Sequence, residues 1–324
     1  MRSFYSREQG AALSITVDKY VYVVLHHNVV LHHTSQGGIK TMFPHLTQDA
    51  KTLEEVRHAI TRKCLEHYGV DGVDNFTTVA SVSDIPSFGS GLGSSSAYTV
   101  GLLNCLSLST DRQYTVYWRE RLAELACKVE IERCGFPIGK QDAYGCAFGG
   151  LNEFRFNPDE TVELNRLYVP ETTLSSLRDS LVLIYTGRGR SSHDILRSQG
   201  EAVADAKKWR LLQDNRDRVF TATEFLKHGD VANFGGLLHE AWMAKKEVVR
   251  GISDEQIDSI YAIARRMGAW GGKVLGAGGG GFMLLSCPHD KQHHMLYEIQ
   301  RVHPEVSHYP FRFTFAGTNI AAEC

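Results

Sequence analysis

Three features of the sequence predict an α+β fold in two parts. Apolar residues alternate in the stretches Ala11 to Leu31 and Asn75 to Val82, which is the two-residue period of a strand with one covered face. A strand, a glycine-rich loop and a helix follow one another between Asn75 and Leu108. From about Ala202 to Met267 the spacing turns helical throughout, so a strand-rich first part is followed by a helix-rich second one.

The elements follow in order. Ala11 to Leu31 is rich in Val, Ile, Tyr and Leu with partial alternation, as in Asp18-Lys19-Tyr20-Val21-Tyr22-Val23-Val24-Leu25, and is expected to form paired strands. His26, His27, His32 and His33 lie near the ends of these strands. Neighbours on a strand point to opposite faces, so each doublet is read as solvated strand end rather than metal ligand. Residues 49 to 68 carry Leu53, Val56, Ile60, Cys64 and Leu65 at helical spacing. A second helix is expected from Arg119 to Arg133, stopped by Cys134-Gly135-Phe136-Pro137.

Residues 150 to 170 and Asp179 to Tyr185 read as strands, the latter closed by Thr186-Gly187-Arg188-Gly189-Arg190. The helical block breaks near Gly229 and Gly251-Ile252-Ser253. Strands near Lys273 and from Phe282 to Ser286 flank a second glycine loop, and a helix and a strand close the chain. The change of pattern near residues 155–180 sets a division into 1–170 and 171–324.

Lys and Arg total 35 against 37 Asp and Glu, for a net charge of −2. No broad field attracts nucleic acid or an anionic membrane, so any anion must be bound by a local site. Seven cysteines without a C-x-x-C pair fit a reducing cytoplasm. No run approaches the ~18 apolar residues of a membrane span, and a soluble monomer or homodimer is expected. Cys287, His289, His293 and His294 bridge a strand end and a helix start, where such polar residues occur anyway. His293 and His294 are adjacent and diverge on a helix, so the group is not read as a zinc site.

The first glycine loop reads Pro86-Ser87-Phe88-Gly89-Ser90-Gly91-Leu92-Gly93-Ser94-Ser95-Ser96. Glycines let a backbone approach a ligand closely, and a helix start offers amides and a positive dipole end to phosphate. The loop follows neither the P-loop nor the dinucleotide pattern, and by itself such a turn serves packing as readily as binding. The second, Gly271-Gly272-Lys273-Val274-Leu275-Gly276-Ala277-Gly278-Gly279-Gly280-Gly281-Phe282, is denser than a turn between strands requires. Its backbone is expected to touch a ligand or to adopt torsions closed to other residues. The third segment, Glu130 to Asp142, holds Glu130, Glu132 and Asp142, which alone would pass for solvated helix charges and a helix cap.

Together and in this order, the three segments resemble the signatures of the GHMP kinases, the family of galacto-, homoserine, mevalonate and phosphomevalonate kinases. Pro86 and Gly91 to Ser95 match its middle motif, Gly276 to Gly281 its last, and the Glu-to-Asp stretch its metal-and-base segment. Ser3-Phe4-Tyr5, Asp18 to Val23, Pro137-Ile138-Gly139-Lys140-Gln141-Asp142-Ala143-Tyr144, Phe148-Gly149-Gly150-Leu151-Asn152 and Gly272-Lys273-Val274-Leu275 resemble a branch of bacterial sugar kinases that includes D-glycero-D-manno-heptose 7-phosphate kinase and also fucose-kinase-like relatives.

The resemblance implies a two-domain GHMP kinase fold, with the C-terminal domain built on a ferredoxin-like sheet. It implies ATP and Mg2+ as cofactors and a sugar or sugar phosphate as substrate, with heptose 7-phosphate converted at its anomeric hydroxyl to the 1,7-bisphosphate. Fucose, galactose or mannose are alternative acceptors, and a nucleotide-binding protein without turnover is the alternative outside catalysis. Pro86, Gly89, Gly91, Leu92, Gly93, Ser94, Ser95 and Ser96 would hold the nucleotide, with Ser95 and Glu130 at the metal and Glu132 as the alternative carboxylate. Asp142 would deprotonate the sugar hydroxyl. Gly276, Ala277, Gly278, Gly279 and Gly280 would support the nucleotide loop and the acceptor. For a substrate phosphate the basic candidates are Lys140 first, then Arg188, Arg190, Lys245 and Lys246. Family members carry a strand and a Gly-Gly-Gly-Ser/Thr-Asp motif just before the residues matching Ser3-Phe4-Tyr5, so a longer natural chain is expected, loss of the motif and with it of activity being the alternative.

Overall fold

The computed structural model describes residues 2–29, 38–71, 75–86, 89–108, 117–189, 204–249 and 251–321. The chain forms two compact units interleaved along the sequence. One comprises Met1–Asp18, Phe88–Leu92 and Gly150–Phe315, the other Lys19–Ser87, Gly93–Gly149 and Ala316–Cys324. The expected division after residue 170 runs along the chain, whereas compactness places the first strand with the C-terminal half.

That placement corrects one expectation. The two strands within residues 11–31 do not pair with each other: Gly10–Ile15 pairs antiparallel with Leu151–Phe156, and Val21–Val29 with Asn75–Ser83. Alternation tells which face of a strand is covered and leaves its partner open.

In the unit built from Lys19–Ser87 and Gly93–Gly149, the sheet order is Val21–Val29, Asn75–Ser83, Gly38–Phe43, Leu46–Ala50. Gly38–Phe43 runs parallel to Asn75–Ser83, and the other pairs are antiparallel. Helical spacing in residues 49–68 is realised only over Ala59–His67. Ahead of it lie the strand Leu46–Ala50 and a short 3-10 turn, tied together where Gln48 Nε2 donates to Glu55 O at 2.6 Å. The Ser94–Leu108 helix has the bounds the sequence predicts, and its buried residues fall on every side. It is therefore the central helix of this unit. Gly101 lets it approach the sheet, since a Cβ there would stand 3.1 Å from Val23 Cγ2. The next helix, Trp118–Cys127, widens into a π-helical turn at Lys128–Arg133, where Cys134 N donates to Val129 O at 2.9 Å and Phe136 N to Glu130 O at 3.0 Å.

The other unit carries two sheets. Gly10–Ile15, Leu151–Phe156 and Val162–Arg166 form the smaller. The larger is fully antiparallel, in the order Ser307–His308, Leu181–Tyr185, Phe282–Ser286, Gly271–Val274. By chain order that is fourth, first, third, second, with helices in the connections between first and second and between third and fourth, which is the ferredoxin-like arrangement. The near-continuous apolar runs at 181–185 and 282–286 reflect two covered faces. Alternation sends Val182, Ile184, Met283 and Leu285 into one core with Trp242, Ile257, Ile260, Met295 and Ile299. It sends Leu181 and Leu284 to a second core with Leu151, Leu177, Leu226 and Phe234.

The Val231–Val248 helix sits directly on the Gly271–Val274 strand. Gly271 permits this, because a Cβ there would fall inside contact distance of Gly235 O and stand 2.8 Å from His239 N, all rigid backbone. Gly271→Ala is expected to cost about 2–4 kcal/mol of stability, seen as a lower urea midpoint. Gly236→Ala, one residue along the same helix with nothing within 4 Å of its Cβ position, is expected to leave stability unchanged or raise it by about 0.5–1 kcal/mol. Equal effects at the two glycines would refute the close approach.

Candidate active site

The first glycine loop passes from one unit to the other at the Leu92–Gly93 peptide. On the helix side, Gly93 O accepts the first helical hydrogen bond, from Ala97 N at 2.8 Å, so the amides of 94–96 precede the intrahelical ladder. Gly93 has φ +75, and a Cβ on it would stand 3.3 Å from both Cβ and Cγ of Asp142. A side chain at 93 would therefore displace that aspartate. Asp142 lies in the first turn of the Gln141–Phe148 helix and is half-buried.

Below the helix start lies Glu130. Ser95 Oγ donates to Glu130 Oε1 at 2.5 Å and Ser96 Oγ to Oε2 at 2.8 Å. Glu130 and Ser96 are buried while Ser95 is exposed, so the serine pair connects a carboxylate in the interior with the surface of the loop. The π-helical turn positions Glu130 here, and it leaves Glu132 exposed. Of the two acidic candidates, Glu130 is the one that meets the loop. Burial pushes the Glu130 carboxyl above its ordinary value and the Asp142 charge adds to the rise, while the hydroxyls of Ser95, Ser96 and Thr99 oppose it. Its stabilising neighbours are hydroxyls rather than cations.

On the other side of the Leu92–Gly93 peptide, Gly89, Gly91 and Leu92 belong with the second glycine loop. A Cβ on Gly91 would stand 2.7 Å from Leu275 O, and one on Gly276 2.7 Å from Gly91 Cα. Both glycines have positive φ, +77 and +60. Gly279 N donates to Ile252 O at 2.8 Å, a Cβ on Gly280 would stand 3.0 Å from Arg188 O, Gly278 packs on Ile252, and Ala277 packs partly buried against the first core. Pro86 is half-buried ahead of this stretch.

Several basic candidates have protein partners. Arg188 pairs with Asp254, which caps the Glu255–Arg266 helix by accepting from Ile257 N at 3.0 Å. Lys245 Nζ donates to Gly276 O at 2.7 Å, and Lys246 Nζ to Asp258 Oδ1 at 2.5 Å. Lys140 directly precedes the Asp142 helix and is half-buried, and Arg190 lies outside the described residues. Thr99 and Ile252 act here through tertiary neighbours, and no motif in the sequence marks them for this site.

The GHMP kinases N terminal domain matches residues 55–150 and the GHMP kinases C terminal domain residues 222–304, together more than half of the chain. The chain belongs to the GHMP kinase family. Members of this family are ATP-dependent kinases that phosphorylate hydroxyl groups. This GHMP kinase is 29% identical over 229 residues to the D-glycero-alpha-D-manno-heptose 7-phosphate kinase of Campylobacter jejuni, with 71% of this chain and 66% of that protein covered, just under two thirds of its length. It is 30% identical over 245 residues to the mevalonate kinase of Pyrococcus abyssi, covering 74% of this chain and 67% of that one. Its fold is that of the Lactococcus lactis galactokinase crystallised with galactose, with a TM-score of 0.72 over 98% of this chain and 90% of that one at 16% identity. Among the described residues no helix is long and apolar enough to cross a membrane.

Because the Glu130 carboxyl is raised in the folded protein, the fold binds that proton more tightly than the unfolded chain. The stability this contributes is present below the ordinary glutamate range and is lost as pH rises through the raised value. Glu130→Gln, which needs no charge in the interior, is expected to gain thermal stability relative to wild type as pH is raised from about 5 to about 8. A difference in melting temperature that is flat across this range would show that Glu130 ionises as easily as in the unfolded chain.

Proposed function

We propose that this protein is an ATP-dependent sugar kinase whose acceptor is D-glycero-D-manno-heptose 7-phosphate, phosphorylated at the anomeric hydroxyl to give the 1,7-bisphosphate. The observation that carries the reading is the meeting, at the start of one helix, of Gly93 with Asp142 and of Ser95 and Ser96 with Glu130. The identity to the Campylobacter jejuni heptose 7-phosphate kinase supports the acceptor.

In this reading the phosphate chain of ATP lies along the loop from Gly89 to Ser96, where glycine backbone permits close approach and the amides of 94–96 and the helix dipole favour negative charge. Asp142 accepts the proton of the sugar hydroxyl as the oxygen forms its bond to the γ-phosphorus. The bond from that phosphorus to the β,γ-bridging oxygen breaks, and ADP leaves with the electron pair. The donor set fits magnesium: the Glu130 carboxylate and the exposed Ser95 hydroxyl are hard oxygen ligands, and that carboxylate is buried beside hydroxyls rather than cations. Magnesium held there would neutralise charge on the phosphates during transfer. Glu130 rather than Glu132 is the proposed ligand. Lys140, at the start of the Asp142 helix, is the proposed partner of the 7-phosphate, with Arg188, which pairs with Asp254, as the alternative.

Asp142→Asn is expected to lower kcat by about 10²–10⁴-fold while ATP affinity measured by calorimetry stays within about threefold. Full turnover in that variant would remove Asp142 from the chemistry. With ATP and magnesium, ADP release is expected to be at least about tenfold faster with heptose 7-phosphate than with galactose, fucose, mannose or mevalonate. Equal rates would discredit the phosphate contact, and a preference for mevalonate would favour the acceptor of the Pyrococcus abyssi relative.

A further inference from the structure

Residues 275–281 turn between two strands, and Leu275 N donates to Phe282 O at 2.8 Å where the turn closes. At Gly281 this turn meets the first glycine loop and its own support at once. Gly89 O and Ser90 O each lie 2.5 Å from where a Cβ on Gly281 would stand, and the next amide, Phe282 N, donates to Ser90 O at 2.9 Å. From the opposite direction, Gly281 O accepts from Thr186 N at 3.0 Å and from Thr186 Oγ1 at 2.9 Å, while Gly281 N donates to Arg188 O at 2.8 Å. Thr186 directly follows the Leu181–Tyr185 strand and is fully buried, and Ser90 is only 3% exposed.

We infer that Thr186 is a positioning residue for the nucleotide. Its hydroxyl sets the plane of the Gly281 peptide, and through it the Ser90 carbonyl and the turn Gly89–Leu92. This rests on the proposal that the loop carries the phosphates of ATP. The second hydrogen bond is what distinguishes the role from ordinary packing. The Thr186 amide already satisfies Gly281 O, so the hydroxyl is not needed to rescue an orphaned carbonyl. Two donors on the two lone pairs of one oxygen restrict its orientation as well as its distance. The Gly281 peptide is the element against which Ser90 is seated, with no side chain between them to absorb a tilt. Removing the hydroxyl therefore costs little satisfaction and loosens a direction.

The test is Thr186→Val in the full chain, which keeps the branched shape and removes the donor. The dissociation constant and KM for ATP are expected to rise about five- to tenfold, the loss of roughly one hydrogen bond. The acceptor KM and kcat stay within about twofold, and amides of residues 89–92 exchange with deuterium faster than in wild type. Thr186→Ser, which retains the hydroxyl, is expected to restore ATP affinity to within about twofold. Should the valine variant fold poorly, Thr186→Ala and Thr186→Ser give the same comparison. ATP affinity unchanged in a folded valine or alanine variant, or weakened equally in the serine variant, would overturn the inference while leaving the phosphate loop in place. Wild-type protein that fails to bind ATP would overturn the loop assignment and this inference with it.

Discussion

The backbone of Gly89–Gly91 lies against the backbone of Gly276 and Gly281 at a separation that no side chain allows. Backbone on backbone fixes position more firmly than side-chain packing, because neither surface has rotamers to adjust. It also demands glycine on both sides, and the positive φ values of Gly91, Gly276 and Gly281 would exclude most other residues even with space available. The density of glycine in the second loop thus has a structural cause in its own unit, whatever it contributes to a ligand. Behind the loop, Thr186 and Lys245 donate to its carbonyls and the Arg188 and Ile252 carbonyls accept from its amides, which holds the far side of the same surface.

In the other unit the corresponding constraint is electrostatic. A carboxylate buried at Glu130 is costly to ionise, and two serine hydroxyls offset only part of that cost. A fold optimised for stability alone would have an apolar residue here. The magnesium site proposed above would account for a carboxyl retained here, with one of its two hydroxyl partners exposed at the loop surface and the other buried.

Much of this was legible in the chain. The strand, loop and helix from Asn75 to Leu108 carry a strong local signal, since alternation, glycine and a helical run change in sequence at the element boundaries. The helices between Ala206 and Arg266 break where Gly229 and Gly251-Ile252-Ser253 predict. Failures came where the outcome depends on a distant partner. The strand Gly10–Ile15 looks like half of a hairpin and instead finds Leu151–Phe156. Residues 49–55 fall within the stretch of helical spacing and yet end an edge strand at Ala50 and form a 3-10 turn at Leu53–Glu55, tied to the strand by Gln48. At the site, the resemblance puts Glu130 ahead of Glu132, and the widened turn at Lys128–Arg133 buries the first and exposes the second.

The sequence by itself determined most of the strands and helices, where glycine is concentrated, and which family the motifs belong to, because each of these is a property of neighbours along the chain. Tertiary structure decided the strand partners, which of Glu130 and Glu132 is buried, the engagement of Arg188 and Lys245 with the protein itself, and the double hold of Thr186 on Gly281. Those outcomes depend on distances between residues far apart in the chain, and a local pattern carries no information about them.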